Sequence, residues 1–168
     1  MSTAPSASTP SASTVHDFDF FVGRWTVRHR RLKERLAAST QWEEFGGTSL
    51  MQKLMDGQGN FDDNLIEVPS GHYRAVSLRS FDPKTRQWAI WWVDGRDPHH
   101  RLDPPMVGSF SAGIGTFYAD EIFNERPIRV RYLWSDITAS SCRWQQAFSP
   151  DGGQTWETNW IMDFARAR

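Results

Sequence analysis

The sequence predicts an all-β protein, an antiparallel up-and-down barrel of about nine or ten strands, well above the usual mean of about five or six per sheet. Three observations carry this. Apolar and polar residues alternate with period two in run after run, helical periodicity is scarce, and turn residues recur at short intervals between the runs. Period two with a polar alternate face marks a half-buried antiparallel strand. A sheet of this many strands curls on itself, and closing it removes both edges.

Residues 1–14, MSTAPSASTPSAST, are nearly all Ser, Thr, Ala and Pro. They hold too little apolar surface to offset their ordering entropy, so a disordered tail is expected, followed by one barrel domain over 15–168. The stretch has neither an apolar run nor a basic n-region, so no secretory signal is expected. RWTVRHRR then sets Trp25, Val27 and His29 on one face against Arg24, Thr26, Arg28 and Arg30. TSLMQKLMD (48–56) is the one helix candidate, through Leu50, Met51, Leu54 and Met55; Gly46 and Gly47 just before it equally suit a bent strand. FDDN (61–64), followed by Glu67, is carboxylate-rich without EF-hand spacing and reads as a loop entering a strand. QWAIWWV is an aromatic strand. IRVRYLW aligns Ile128, Val130, Tyr132 and Trp134; CRWQQAF aligns Cys142, Trp144, Gln146 and Phe148; WETNWIMDF aligns Trp156, Thr158, Trp160, Met162 and Phe164. Turn signals fall at 56–60, 69–72, 82–86, 124–127, 138–141 and 150–153.

The chain of 168 residues suffices for one domain with a sizeable core. Its nine Trp, eleven Phe and three Tyr must line that core or a pocket, since each aromatic buries on the order of 150–250 Å². A net charge of −1 lacks the basic excess of a nucleic-acid binder, and no stretch is long and apolar enough to insert in a membrane. The single cysteine, Cys142, is in phase with Trp144 and reads as a buried, inert thiol. A cytoplasmic location is expected, and a homodimer is left open.

SPDGGQTW (149–156) fills the S-x-D-x-G-x-T-W pattern called an Asp box. In sialidases several such boxes recur, one per propeller blade. Here there is one box and no internal repeat, so it reads as a tight hairpin between the last two strands. Gly23-Arg24-Trp25, at the start of the first strand, resembles the G-x-W opening of the lipocalins, in which the Trp closes the barrel floor against an Arg near the C-terminus. The ending MDFARAR offers Arg166 or Arg168 for that part. With FDP…RQWAIWW and DGG-T-W, the chain from about His16 onward resembles a group of uncharacterised bacterial proteins with lipocalin-like or fatty-acid-binding-like (calycin) barrels. The resemblance implies a fold and no reaction. A nitrobindin-type haem barrel is a weaker match. GRWTVRH lacks that family's two later glycines, and no His follows His100 to serve as the proximal ligand. No cofactor is expected.

Function then rests on polar residues in phase with the core. His29, Tyr132, Gln146 and Thr158 share faces with aromatic residues. Arg79 is in phase with Tyr73 and Phe81, and Glu44 with Trp42, but both faces of these strands hold apolar residues, so their directions are open. Convergent polar groups in an aromatic cavity are the usual form of a small-molecule site. The loop DGRDPHHRLDPP (94–105), with Asp97, His99, His100 and Asp103, is expected at the barrel mouth; its adjacent histidines do not converge on a metal, and no metal site is expected. The leading expectation is a barrel that binds a small, largely apolar or aromatic molecule with a polar end. The alternatives are an isomerase, cyclase or hydrolase in which His29 is acid–base with Tyr132 or Glu44 as partner, and a barrel filled by its own aromatics.

Overall fold

The structure, a computed structural model, describes residues 12–168. Ten strands follow one another: β1 (Gly23–Leu32), β2 (Trp42–Leu54), β3 (Gly59–Glu67), β4 (Tyr73–Asp82), β5 (Gln87–Asp94), β6 (Met106–Ser111), β7 (Ile114–Phe123), β8 (Arg126–Ser135), β9 (Ser141–Ser149) and β10 (Glu157–Arg166). Each pairs antiparallel with its sequence neighbour, and β1 pairs with β10, so the meander closes into a barrel. Every expected turn signal falls at a junction between consecutive strands.

Alternation decides what faces inward. On β4 the buried set is Tyr73, Ala75, Ser77, Arg79 and Phe81, with Leu78 partly exposed outside. Arg79 therefore points into the barrel. On β2 the outcome is the reverse for Glu44. Phe45 lies beside His29 and takes the inward phase, while Glu44 lies outside and pairs with Arg28 at 2.7 Å. Of the two readings of 48–56, the strand holds. Ser49 and Met51 alternate inward along β2, and only Met55–Gly57 forms a short 3-10 turn. FDDN is not a loop entry but the middle of β3, with Asp62 and Asn64 buried inside.

One end of the barrel is closed by the chain before β1. Phe18 and Phe21 are fully buried there, under Trp25, Trp88, Phe110, Phe117 and Trp134. Trp25 plugs this floor, its indole Nε1 donating to Phe21 O at 2.8 Å. The Arg166 guanidinium lies 4.2 Å over the Trp25 ring and donates to the carbonyls of Val22, Phe20 and Ala139. The arginine expected against Trp25 is thus Arg166; Arg168 is exposed beyond the last strand. Gly23 has φ +114°, and an added Cβ would stand 3.0 Å from Arg166 Nη1, so this corner favours glycine twice over.

The floor segment starts earlier than the composition suggests. Ser13 is buried, its hydroxyl bonded to Asp17 and accepting from the Phe110 N–H, and Trp88 Nε1 donates to Thr14 O at 3.2 Å. Ser13 and Thr14, placed in the expected tail, thus dock on the barrel, because polar side chains can dock by hydrogen bonds where apolar burial is missing. The rest of that expected tail, residues 1–11, lies outside the described residues.

Two stability outcomes follow. Trp25→Ala should destabilise by about 3–5 kcal/mol in urea unfolding, as loss of a buried Trp does. A chain beginning at Val15 should melt at a lower temperature than one beginning at Ala12, because only the former loses the Ser13 and Thr14 contacts.

Candidate functional site

Above the floor the barrel encloses a cavity of about 310 Å³. Its wall is aromatic and thioether-rich. Trp144 meets Trp160 edge-on at 5.6 Å and Tyr132 at 4.8 Å, Trp134 stacks on Phe164, and Ile90, Met106 and Met162 fill between them. A cavity of this size and lining falls within the range of small-molecule sites, about 300–1,000 Å³.

At the bottom of the cavity sits Arg79, only 2% exposed. Its guanidinium is ion-paired with Asp62 and donates to Asn60 Oδ1 at 3.0 Å. The aromatic rings of Phe18, Phe21 and Trp134 lie within 4.9–5.7 Å of it. Asn64 donates to Asp62 Oδ2 at 2.6 Å and to Ala75 O at 3.3 Å. Three buried atoms of residues on this lining have neither a hydrogen-bond nor an ion-pair partner among the described residues: Asn64 Oδ1, Arg79 Nε and Trp134 Nε1.

The mouth carries the remaining charges. Arg31 pairs with Glu43, and Arg96 pairs with Asp94 while lying 3.7 Å over the Tyr73 ring. Arg35, from the β1–β2 loop, lines the cavity and packs 5.8 Å from the Phe148 ring. Glu121 on β7 has its pKa pushed up to about 7, by burial and then by the nearby Asp103 charge. Burial, followed by the charges of Glu121 and Asp103, raises the Tyr132 phenol well above its ordinary value, so it stays a neutral hydroxyl.

The expected residues distribute unevenly. Arg79, Tyr132 and Gln146 line the cavity, the last donating to Asn159 Oδ1 at 2.9 Å. His29 is buried inside the barrel wall but lies behind Trp160, which lines the cavity in its place. Its ring stacks on Phe45 at 4.8 Å, and its Nδ1 accepts from Trp160 Nε1 at 3.2 Å. An indole N–H only donates, so the imidazole proton sits on Nε2. Nε2 faces Gly47, where any Cβ would meet it at 3.0 Å and Leu65 O at 2.4 Å. Glu44 lies on the outer face, as described. Thr158 does not reach the inner face either, because a bulge between Thr158 and Trp160 inserts Asn159, which is fully buried instead.

Among the rim residues, Asp103 reaches the cavity mouth, whereas Asp97, His99 and His100 are exposed, with His100 Nδ1 3.5 Å from Asp97. No group of three or more His, Cys, Asp or Glu among the described residues is placed to hold a metal. Burial pushes the Cys142 thiol up to about 12, so it is unreactive at neutral pH. The Asp box is a turn. Asp151 accepts from Ser149, Gln154 and Thr155, and Trp156 Nε1 closes the hairpin on Gly153 O.

Asp62, Asn64, Arg31, Arg35 and Glu121 escaped the sequence reading. The signal for β3 was present, since Asn60, Asp62, Asn64 and Ile66 alternate strictly, but the inward set is polar. For the mouth residues no sequence signal distinguishes a half-buried arginine from the many solvated ones.

No protein-family model matches the chain, and no curated protein matches it. Solved structures do. The S-type phycobiliprotein lyase CPES from Guillardia theta aligns over 93% of this chain and 93% of its own, with TM-score 0.59 and 12% identity. EF1p2_mFAP2b, solved bound to DFHBI, aligns over 92% of this chain and 100% of its own, with TM-score 0.48 and 9% identity. The first likeness supports the calycin-like barrel expected from the sequence; identity this low speaks to fold alone.

The buried imidazole sets a pH dependence. Burial, then the Arg31 charge, draws the His29 pKa from 6.5 down to about 4. Between those values the unfolded chain holds a proton that the folded chain lacks. Stability should therefore fall as pH falls through that window, by about 3 kcal/mol in all. His29→Gln keeps an acceptor for the Trp160 N–H and removes the titration. Urea midpoints at pH 7 and pH 4.5 should differ less for this variant than for the wild type.

Proposed function

We propose that this protein binds a small, largely aromatic or apolar molecule inside the barrel, with a neutral hydrogen-bonding end of that molecule seated beside Arg79. The observation that carries the reading is an aromatic cavity among whose lining residues Asn64, Arg79 and Trp134 each hold a buried polar atom without a hydrogen-bond partner. An unsatisfied buried polar group costs about 1–3 kcal/mol, so a partner from a ligand or water is favoured. Two donors and one acceptor suit a carbonyl next to an N–H or hydroxyl. Asp62 already neutralises Arg79, so a carboxylate at this depth would be an unbalanced buried charge.

The comparison structures support this reading only through the barrel itself. Of the residues of the catalytic alternative, Tyr132 lines the cavity, whereas His29 lies behind Trp160 and Glu44 lies outside. No helix among the described residues is long and apolar enough to cross a membrane. The proposed cytoplasmic location rests on the lone thiol, and a homodimer remains a proposal without a contact to support it.

Prodan, a neutral naphthalene with a carbonyl end, is a suitable probe. Its binding should quench Trp fluorescence, because several indoles line the cavity. Ser77→Phe places a ring in the cavity and should abolish binding. Trp134→Phe removes one donor while keeping an aromatic ring and should weaken binding up to about tenfold, the value of one hydrogen bond. Quenching that neither variant alters would place the dye elsewhere and sink the reading.

A further inference from the structure

The β1–β2 loop is tied to the opposite side of the closing seam. Glu157, at the start of β10, accepts from the Leu36 N–H with both carboxylate oxygens, at 2.9 and 3.1 Å. Leu36 itself has φ +54°, a left-handed turn that the tie holds in place. The neighbouring residue, Arg35, is thereby set over the mouth against the Phe148 ring.

Arg35 differs from its two arginine neighbours. Arg31 has Glu43 and Arg96 has Asp94, whereas the half-buried Arg35 guanidinium has no carboxylate within 4.0 Å and no hydrogen bond among the described residues. Burial, then the charges of Arg31 and Arg96, disfavour its cationic form. A guanidinium stays protonated even so, and its planar fork fits an oxyanion at two points. A half-buried cation with no anion is costly until one arrives.

We propose that Arg35 is the specificity-determining residue of the cavity, selecting ligands whose mouth-facing end is an oxyanion such as a carboxylate or sulfonate. The inference rests on the cavity reading above and makes the ligand two-ended. A neutral hydrogen-bonding group lies at the Arg79 floor, an aromatic body lies between Trp144 and Trp160, and an anion lies at the rim. The acids of the mouth do not occupy the Arg35 position. Glu43 and Asp94 are engaged by the other arginines, and among the described residues neither Glu121 nor Asp103 comes within ion-pair distance of Arg35.

Two probes with the same aromatic body separate the effects: anionic 8-anilinonaphthalene-1-sulfonate and neutral N-phenyl-1-naphthylamine. In the wild type the sulfonate should bind about tenfold tighter than the neutral dye, as one charge-assisted contact supplies, and added salt should erode that preference. Arg35→Met keeps the stem over Phe148 and should bring the ratio of the two dyes' affinities to about one. Arg35→Lys, which keeps the charge and loses the fork, should retain part of it. If the wild type binds both dyes in a Ser77→Phe-sensitive manner and Arg35→Met leaves their ratio unchanged, the anion inference fails and the cavity reading stands. If Ser77→Phe changes neither dye, the cavity reading itself fails. An unchanged urea midpoint is the check that Arg35→Met is folded.

Discussion

The Arg79–Asp62 pair is the interaction on which the interior is organised. A guanidinium this deep is tolerable only with a counter-charge, hydrogen-bond acceptors and polarisable rings around it, and this one has all three. Asp62 and Asn60 hold it from β3, and Phe18 and Phe21 hold it from the segment that closes the floor. The pair thereby fixes the level at which solid core gives way to cavity. Below it aromatic rings pack against one another; above it polar atoms are left without partners. Removing either charge would strand the other, which is far more damaging than replacing both with apolar groups of similar volume.

How far the sequence announces this structure depends on which residues took the inward positions. Where aromatics took them, as in Trp25–Val27 or Trp144–Phe148, alternation gave strand, face and neighbour correctly. The Gly23-Arg24-Trp25 corner was legible too, because a positive φ, a plugging indole and an arginine from the other end of the chain leave a trace in residue type. Asp62 and Asn64 were not legible, since polar residues inside invert the pattern on which the reading depends. Thr158 failed for a different reason: one inserted residue at Asn159 shifts the phase, and a bulge has no reliable mark in a single sequence. Glu44 lost to Phe45 by one position, a choice that only the register with His29 decides.

The same logic separates the two polar ends of the cavity. At the floor the charges are matched, so what remains is directional hydrogen bonding from neutral or neutralised groups. At the mouth, pairing is incomplete and a charge remains in partial contact with solvent. Between them lies an aromatic wall whose edge-to-face contacts leave little freedom of ring orientation. His29 belongs to that wall rather than to the site. It supplies Trp160 with an acceptor and holds the indole in the orientation it presents to the cavity.

The Arg166 corner bears on the history of the chain as well as its stability. Arg166 bonds Val22 and Phe20 at sequence separations of 144 and 146, and β1 finds its last partner only in β10. Contacts of such separation form slowly, because most of the loop-closure entropy must be lost before they can contribute. A chain growing from its N-terminus therefore builds an open sheet first, with β1 exposing a free hydrogen-bonding edge until β10 is made. Up to that moment the nascent protein is a template for pairing with its neighbours. Sealing the seam ends that exposure, and in the same step it seats the floor and creates an interior.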